Sequence, residues 1–557
     1  MSTTSVRWKL ARVALAVAVL SVLASCTKLS SPSGAPGAKS NDSEHAYTHS
    51  HELRFAASAD IQQLNPLIGE TAYEQYLSSL TMAYLIKTDR NGEATVPELI
   101  TEIPSQKNGG ISADGKTIVW HLRHGVRWSD GAPFDADDVV YTTKQVLNPA
   151  NSVVSLDGWD QITKIDEPDK FTVVYHLKAP YSSFAVTFFS TTGANPAVLP
   201  KHLLAQYHSL NQIPYNSLPV GIGPFKYEAW HRGDSVVMVA DERYFRGRPK
   251  LRRIIYKTVQ DRNTVLEELR THELDLWIPI SPHFYPQVTA IAGVSVLTVP
   301  SFTYDHLDFN LTRPVLRDVR VRRALRFALD RGQINVKVQN GLYLLNESPV
   351  VPASKYHLAL PRVPYDIAKA NALLDAAGWK RGPGGVRSKN AQRLSLVVAL
   401  SAGNPDTDTI LELIRNSWKQ LGVELIVKRY LASQFFALAS QGGIMYGGKF
   451  DVVLFGWGAD PGGDLSNEYA CYRFPPNGQN DMRWCDREAT AAMDEVKTNY
   501  DPATRKKYLD VVQRRIYEQV PTVIVTSRVQ LAGFNSDLRN WHPNGVSPFD
   551  DMLQVDI

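Results

Sequence analysis

The fold is indicated most directly by residues 449–464, which read KFDVVLFGWGADPGGD. The apolar run from Val452 to Phe455 has the length and the β-branched content of a buried strand. Glycine and proline residues then end the strand and force a loop: Gly456, Gly458, Pro461, Gly462 and Gly463. The side chains of Trp457 and Asp460 are left at the carboxyl end of the strand, where open α/β sheets bind ligands. An aromatic wall and a carboxylate on a tight loop suit a small cationic group.

Residues 1–26 have the composition of an export signal. Three basic residues precede an apolar run at 13–23 that is too short to cross a bilayer comfortably. The segment ends in Leu-Ala-Ser-Cys at 23–26, which resembles the lipobox of bacterial lipoproteins, whose cysteine is lipidated and becomes the mature N-terminus. We therefore expect Cys26 to be lipidated; the alternative is a plain signal peptide with a chance cysteine.

Composition separates a tether from a folded body. Residues 27–50 are rich in Ser, Gly, Pro, Ala and Asn and nearly free of large apolar groups, so a flexible tether is expected there. The 557-residue chain is too long for one core and indicates two or three domains. A net charge of only +4 gives no reason to expect nucleic-acid binding. No later stretch reaches the ~18 apolar residues of a transmembrane helix.

Apart from Cys26 the chain has two cysteines, Cys471 and Cys485. The segment between them carries turn residues at 475–478. In an oxidising compartment such a pair is most simply a disulfide that closes a surface loop. Two buried free thiols are the alternative.

The body of the chain alternates strand and helix patterns. Leu53 to Ala57 and Thr117 to Leu122 have the apolar spacing of strands, whereas Tyr73 to Leu85 and Tyr365 to Trp379 have that of helices. Such alternation predicts sheets with helical cover, built as lobes.

The segment 318–329 predicts a helix with one apolar face that begins at the N-cap Asp318. Its remaining surface carries four arginines, namely Arg320, Arg322, Arg323 and Arg326. A phosphate or nucleic-acid site is one interpretation. Because aromatic residues are not interleaved, we expect a solvated face in which only the aliphatic stems are covered.

Several motifs together resemble one family. The run LRHGVRWSDGAPFDADDV at 122–139 is similar to a signature of the extracytoplasmic solute-binding proteins, family 5, which serve peptide-class ABC importers. Further segments match in the same order, at 64–66, 219–227, 244–249, 319–330 and 365–379. The resemblance covers essentially the whole chain after the tether.

This resemblance implies an α/β fold of the periplasmic-binding-protein type II kind, with two lobes and an extra inserted subdomain. The implied divisions are lobe I at 51–84, 203–300 and 525–557, the inserted subdomain at 85–202, and lobe II at 301–524. Ligand binding would close the lobes about linkers near 300 and 525.

Catalytic and metal motifs are not found. The sequence has no G-x-S-x-G elbow and no H-E-x-x-H pair. Residues 443–449 fall short of a phosphate-binding loop, because Phe450 replaces the metal-binding hydroxyl and a strand follows. Asp460 and Asp464 are a poor acid–base pair. The histidines at 45, 49 and 51 are expected to be a chance cluster, so we predict neither an enzyme nor a metal or other cofactor.

The loop at 456–460 matches a ligand-binding pattern of the family that the sequence resembles. In peptide-binding relatives the aspartate of a G-W-x-x-D loop pairs with the ligand's α-ammonium group. Gly456, Trp457, Gly458 and Asp460 fit this pattern position for position, so they are the predicted ligand-binding residues. A buried ammonium needs such a carboxylate, and Trp457 would supply a wall. The alternative is that Asp460 only caps its own Pro-Gly-Gly turn.

One departure from the family concerns ligand length. Dipeptide-binding relatives hold the ligand's carboxylate with an arginine after the strand that corresponds to residues 394–400. Here residues 401–406 read SAGNPD, without arginine. A longer peptide held by main-chain hydrogen bonds, as an added strand, would not need it.

The sequence therefore predicts a lipoprotein anchored to the membrane by its lipid, in the periplasmic space or on the outer face of the cell. It would act as a monomer, capture peptides, most simply oligopeptides, and deliver them to an ABC permease and ATPase complex. Within the same fold, an oligosaccharide, haem or chelated nickel is the alternative solute. A secreted hydrolase or a receptor without transport are alternatives of another class.

Overall fold

This computed structural model describes residues 45–557 apart from 58, 59, 70, 154, 157, 193 and 194. The export signal, Cys26 and most of the predicted tether lie outside the described residues. The chain divides into residues 1–46 and a second unit, residues 47–557, and the fold below is that of the second unit. Among the described residues we find no helix with the length and hydropathy needed to span a bilayer.

The strands of the described chain are numbered in sequence order. They are β1 Glu52–Ala57, β2 Ile86–Thr88, β3 Ala94–Pro97, β4 Thr117–His121, β5 Ile162–Asp169, β6 Thr172–Leu177, β7 Phe225–His231, β8 Ser235–Ala240, β9 Arg253–Thr258, β10 Leu276–Trp277, β11 Val294–Phe309, β12 Lys380–Arg381, β13 Arg387–Lys389, β14 Gln392–Arg393, β15 Ser395–Ser401, β16 Glu424–Tyr430, β17 Val452–Gly458 and β18 Thr522–Asn535.

The α-helices are numbered in the same way. They are α1 Ala72–Thr81, α2 Ala136–Val146, α3 Phe184–Thr187, α4 Lys201–Leu204, α5 Arg262–Arg270, α6 Tyr285–Thr289, α7 Pro314–Arg317, α8 Val319–Phe327, α9 Arg331–Gln339, α10 Ile367–Ala376, α11 Pro405–Gln420, α12 Ala432–Phe435, α13 Ser466–Tyr469, α14 Arg487–Thr498 and α15 Pro502–Gln519.

Local sequence signals place several helix ends. Asp318 and Asp366 accept hydrogen bonds from the first-turn N–H groups of α8 and α10, as predicted. The predicted helix at 73–85 is too long, because α1 ends at Thr81. Beyond it the backbone N–H of Leu85 donates to the carbonyl of Phe189, so the apolar residues continue as a buried connection and not as a helix.

Ten strands form one mixed sheet in the order β16-β15-β17-β11-β18-β10-β1-β9-β8-β7. Its middle is the antiparallel pair of long strands β11 and β18, whose register shifts between Pro300 and Tyr304 and again between Asp305 and His306. Strand β17 lies on the other side of β11 and pairs with it from Val452 to Gly458. The opening stretch of sequence is therefore a strand next to the centre of the sheet, as its apolar run predicts.

The buried apolar side chains form separate cores along the sheet. One core draws on residues between Leu67 and Ile222, around the small sheet β4-β6-β5. Another draws on residues between Leu307 and Val525, and a third combines 53–80, 225–278 and 532–557. Strand β18 contributes residues to both of the last two cores. The exact domain boundaries given above stay a prediction.

Cys471 and Cys485 are joined by a disulfide with a Cα–Cα distance of 4.5 Å. It closes the loop between α13 and α14. Asn480 lies within this loop and donates to the carbonyls of Ala470 and Trp484, so its amide holds the two ends of the loop together as well.

The predicted solvated face of arginines on α8 is wrong for two of the four. Arg322 and Arg326 are only 3% and 8% exposed. The guanidinium of Arg322 donates to four backbone carbonyls, those of Leu316, Arg317, Gln519 and Val520. The last two lie at the end of α15, where carbonyl groups have no partner within the helix. These arginines therefore cap a distant helix, and burial lowers the pKa of Arg322 to about 10.

We expect replacement of Arg322 by methionine to lower the free energy of unfolding by about 3 kcal/mol, because buried carbonyls would lose their donor. Urea denaturation measures this loss. Arg320→Met is the matched control on the same helix; Arg320 is exposed and pairs with Asp318, so its loss should stay below about 1 kcal/mol. Equal losses of unfolding free energy in the two variants would show that the buried hydrogen bonds of Arg322 stabilise the fold no more than the exposed ion pair of Arg320 does.

Candidate ligand-binding cleft

A cleft of about 580 Å³ lies along the middle of the large sheet. Its floor is formed by β11 and β18, and one wall by α1. The opposite wall is the loop that follows β15, together with the start of α11. Residues that line it include Tyr73, Tyr76, Ser281, Ser301, Thr303, Asp305, Gln339, Tyr343, Asn404, Asp406, Arg528 and Gln530.

Strand β17 lies next to this cleft, because its Gly456 and Gly458 pair with Asp305 and Thr303 of β11, which line the cleft. Asn310 N–H donates to Asp451 and Ala459 N–H to Phe302, both on the β11 side. Because hydrogen-bonding groups alternate along an antiparallel strand, the N–H and C=O groups of Gly456 and Gly458 point away from β11. On that side β15 pairs only with Val452 and Val453. Within the described residues, no strand therefore occupies the edge of β17 from residue 454 to residue 458.

Gly456 lies directly under an ion pair of the cleft. Arg528 of β18 donates from Nη2 to Asp305 Oδ1 of β11 at 2.5 Å, and from Nε to the same carboxylate at 3.1 and 3.2 Å. A Cβ atom on Gly456 would stand 2.5 Å from Nη2 of Arg528, whereas one on Gly458 would meet nothing within 4 Å. Burial lowers the pKa of Arg528, but the Asp305 carboxylate outweighs it and raises that pKa above its ordinary value.

Asp460 lies just beyond the end of β17. Its carboxylate accepts hydrogen bonds from the backbone N–H groups of Gly462 at 2.7 Å and Asp464 at 2.9 Å. Burial, and then the neighbouring Asp464 carboxylate, raise the pKa of Asp460 to about 6, against the opposite effect of these bonds and of Arg505. The carboxylate thus shapes its own turn, as one interpretation of the sequence had it. Its role towards a ligand stays a prediction.

Trp457 lies on the opposite face of the sheet from Gly456 and Gly458, because side chains alternate along a strand. Its ring packs against Phe455 at 5.6 Å between centroids, and it lines a small cavity with His306 and Asp481. Gly456 and Gly458 pair with Asp305 and Thr303, which line the cleft, and therefore lie on the cleft face of the sheet, whereas Trp457 lies on the other face. The ligand-binding roles of Gly456, Trp457, Gly458 and Asp460 stay predictions.

The small cavity behind β17 holds a buried acidic pair. Nδ1 of His306 lies 2.8 Å from Oδ1 of Asp308. Burial, and then the neighbouring Asp308 carboxylate, raise the pKa of Asp481 well above its ordinary value. The residues that line this cavity are different from those that line the cleft.

The histidines at 45, 49 and 51 are predicted to be a chance cluster and not a metal site. In the structure His49 contacts Glu52 at 3.2 Å and His51 contacts Asp556 at 2.8 Å. Across the described chain, no group of three or more His, Cys, Asp or Glu side chains is arranged to hold a metal ion.

The ion pair of Asp305 and Arg528 was missed by the sequence analysis. Arg528 lies more than 70 positions after Gly456, inside the otherwise ordinary strand pattern of β18. Only the pairing of β11 with both β17 and β18 brings the three residues together. The glycine at 456 was the one available signal, since a strand interior without a side chain often marks close approach of another group.

A cleft over two long strands, with cores on either side, defines a binding protein of the α/β class. Residues 94–479 match the family model described as "Bacterial extracellular solute-binding proteins, family 5 Middle". The oligopeptide-binding protein AppA of Bacillus subtilis is 26% identical over 455 residues, which are 80% of this chain and 80% of that relative. The chain belongs to the bacterial extracellular solute-binding proteins of family 5.

Solved structures confirm the predicted fold class, an α/β fold of the periplasmic-binding-protein type II kind with an inserted subdomain. The Bacillus subtilis AppA structure, in complex with a nonapeptide, superposes with a TM-score of 0.74 at 21% identity and covers 90% of this chain and 98% of its own. The structure of NikZ from Campylobacter jejuni, in complex with Ni(L-His), gives a TM-score of 0.73 at 24% identity with the same coverage. The fold alone therefore does not decide the solute.

Proposed function

We propose that this protein captures peptides outside the cytoplasmic membrane and delivers them to an ABC permease and ATPase complex. The observation that carries the proposal is the free edge of β17 at residues 454–458, next to the cleft-lining strand β11 and two residues before Asp460. An extended peptide needs a strand edge for its main chain and an acidic group for its amino terminus. The relative AppA, an oligopeptide-binding protein, supports the same solute.

In this proposal the peptide lies as an added strand next to β17. The N–H and C=O groups of Gly456 and Gly458 bond to its main chain, which explains tolerance of different side chains. Asp460 takes the α-ammonium group. The predicted lobes close over the peptide about the linkers near 300 and 525, and the register shift of β11 after Pro300 supports a hinge at the first of them. The closed form is what the permease recognises.

Location follows from the sequence and the family. Members of the family are extracellular solute-binding proteins, and the proposed lipid on Cys26 would hold a monomer at the membrane surface. The family relationship favours binding over catalysis, and we propose no enzymatic activity.

Thermal-shift screening tests the proposal against its alternatives. Free-ended peptides of two to six residues should raise the unfolding midpoint, whereas oligosaccharides, haem and nickel–histidine should not. NikZ makes the nickel chelate the alternative to include first. A shift with the nickel complex and none with any peptide would contradict the proposal, and turnover of ester or glycoside reporters would indicate a hydrolase.

Peptide affinity should depend on pH through Asp460. The carboxylate must be ionised to pair with an ammonium group, and its pKa is raised to about 6. We therefore expect affinity for a free-ended peptide to fall about tenfold between pH 7.5 and pH 5. The free energy of unfolding of the unliganded protein changes with pH in the opposite direction, because protonated Asp460 favours the folded state. The stabilising contribution of Asp460 is present at low pH and is lost as the pH rises through 6.

Calorimetric titration at pH 5, 6 and 7.5 measures the effect. An N-acetylated peptide is the control, because it carries no ammonium group and its affinity should not follow this titration. The same fall with pH for both peptides would assign the effect to another group.

A further inference from the structure

We propose that Arg505 of α15 is a positioning residue for Asp460, which acts through Gly462 and holds the Asp460 carboxylate as an anion at neutral pH. This inference rests on the proposed function and adds a residue to the same site. Arg505 is not among the residues that line the cleft, so it acts on a ligand only through Asp460.

One residue of the loop connects the guanidinium of Arg505 to the carboxylate of Asp460. Nη2 of Arg505 donates to the backbone carbonyl of Gly462 at 2.6 Å, and the N–H of the same Gly462 donates to Asp460 Oδ1 at 2.7 Å. The N–H of Gly463 closes the turn on the backbone carbonyl of Asp460 at 2.9 Å. The arginine therefore holds the turn whose N–H groups orient the Asp460 carboxylate.

The turn packs directly on the helix that carries Arg505. Gly463 has a φ of +79°, and a Cβ atom at this position would stand 2.9 Å from Cδ1 of Leu509 and 3.1 Å from Cδ2 of Tyr356. Leu509 lies one helical turn after Arg505 in α15. The glycine therefore allows the close approach in which the guanidinium reaches the carbonyl of Gly462.

Arg505 is buried, and its own position is fixed. It is only 8% exposed. Nη1 donates to the hydroxyl of Tyr356 at 3.3 Å, and the guanidinium carbon lies 5.2 Å from the centroid of the Tyr356 ring. Nε is buried without a hydrogen-bond partner among the described residues. The described hydrogen bonds of this cation all go to neutral acceptors, and a buried charge of this kind is stabilised by a nearby anion.

The Asp460 carboxylate supplies such an anion. The charged side chains that act on it are Asp464 of the same loop and Arg505 of α15. Burial, and then Asp464, raise the pKa of Asp460 to about 6, whereas the two backbone N–H groups and Arg505 oppose that rise. Without Arg505 the pKa of Asp460 would rise further, so less of the carboxylate would be charged when it meets the ammonium group of a peptide.

Peptide titration across a range of pH tests the assignment. Tetra-alanine with a free amino terminus and its N-acetylated form are titrated by calorimetry between pH 5 and pH 7.5 against the wild type, Arg505→Gln and Arg505→Met. In both neutral variants the midpoint of the pH dependence should move up by about one pH unit. At pH 6 the free-ended peptide should then bind about fivefold more weakly than to the wild type, whereas at pH 7.5 the affinities should nearly agree.

A third variant, Arg505→Lys, is the matched control, because it keeps the charge and should keep the pH profile of the wild type. The N-acetylated peptide should show no such shift in any variant. Glutamine still offers an N–H group to the carbonyl of Gly462 and methionine offers none, so the test does not depend on one replacement that folds. Thermal midpoints report the folding of each variant.

The pH profile separates the effect of the charge from support of the loop. A midpoint that stays at the wild-type pH in the neutral variants overturns the assignment, and so does a loss of affinity that is equal at every pH or equal for the acetylated peptide. If the wild type binds neither peptide, or binds the free-ended peptide with an affinity that does not change with pH, the proposed role of Asp460 fails, and the assignment of Arg505 fails with it.

Discussion

Asp460→Asn should bind a peptide with a free amino terminus about 10- to 100-fold more weakly than the wild type, and its N-acetylated counterpart with nearly unchanged affinity. The carboxylate is half-buried, two residues beyond the end of β17. A charge-assisted hydrogen bond to an ammonium group contributes about 1.5–3 kcal/mol, which corresponds to this range of affinity. Isothermal titration with the two peptides measures it.

The acetylated peptide separates recognition from loop structure. The side chain of Asp460 also accepts two backbone N–H groups of its own turn, so a loss of affinity that comes from a changed loop would be the same for both peptides. Asp464→Asn is the matched control, because Asp464 caps the next turn through Ser466 N–H at 2.8 Å and has no proposed ligand role. Equal losses for the free and acetylated peptides would mean that Asp460 only shapes its loop.

Gly456→Ala should lose about 2 kcal/mol of stability and at least about tenfold in peptide affinity, whereas Gly458→Ala should change both only slightly. The added Cβ at 456 stands 2.5 Å from Nη2 of Arg528 and 3.1 Å from Oδ1 of Asp305, so the ion pair must move. The same atom at 458 has open space. Both glycines lie on one face of β17, which makes the two variants a matched pair.

Thermal unfolding and peptide titration of this pair give the readout. The contrast depends on the ion pair and not on the loss of a glycine as such. Similar behaviour of Gly456→Ala and Gly458→Ala would contradict the arrangement of Arg528 over β17.

The sequence predicted features that depend on neighbours in the chain. The N-caps Asp318 and Asp366, the strand at 452–455 and the glycine loop after it all follow from local chemistry. The family motifs, spread over the whole chain, indicated the fold class. Alternation along β17 also places Trp457 on the opposite face from the two glycines; its ligand role stays a prediction from the motif.

Features that depend on distant segments could not be predicted. Arg322 caps a helix that ends nearly 200 residues later, and an arginine on a polar helix face gives no local sign of such a partner. The same holds for Arg528, which reaches Gly456 only because β11 pairs with both strands. Sheet order is set by packing of the whole domain, and periodicity within one segment carries no information about it.

Site-resolved hydrogen exchange at β17, with and without a saturating free-ended tetrapeptide, tests the central claim most directly. The N–H groups of Phe455 and Trp457 already donate towards β11, so their exchange should change little. Those of Gly456 and Gly458 face the free edge and should exchange at least about tenfold more slowly with peptide bound, because they donate to its main chain. Unchanged exchange at Gly456 and Gly458, under conditions where calorimetry shows the peptide bound, would contradict strand addition at this edge.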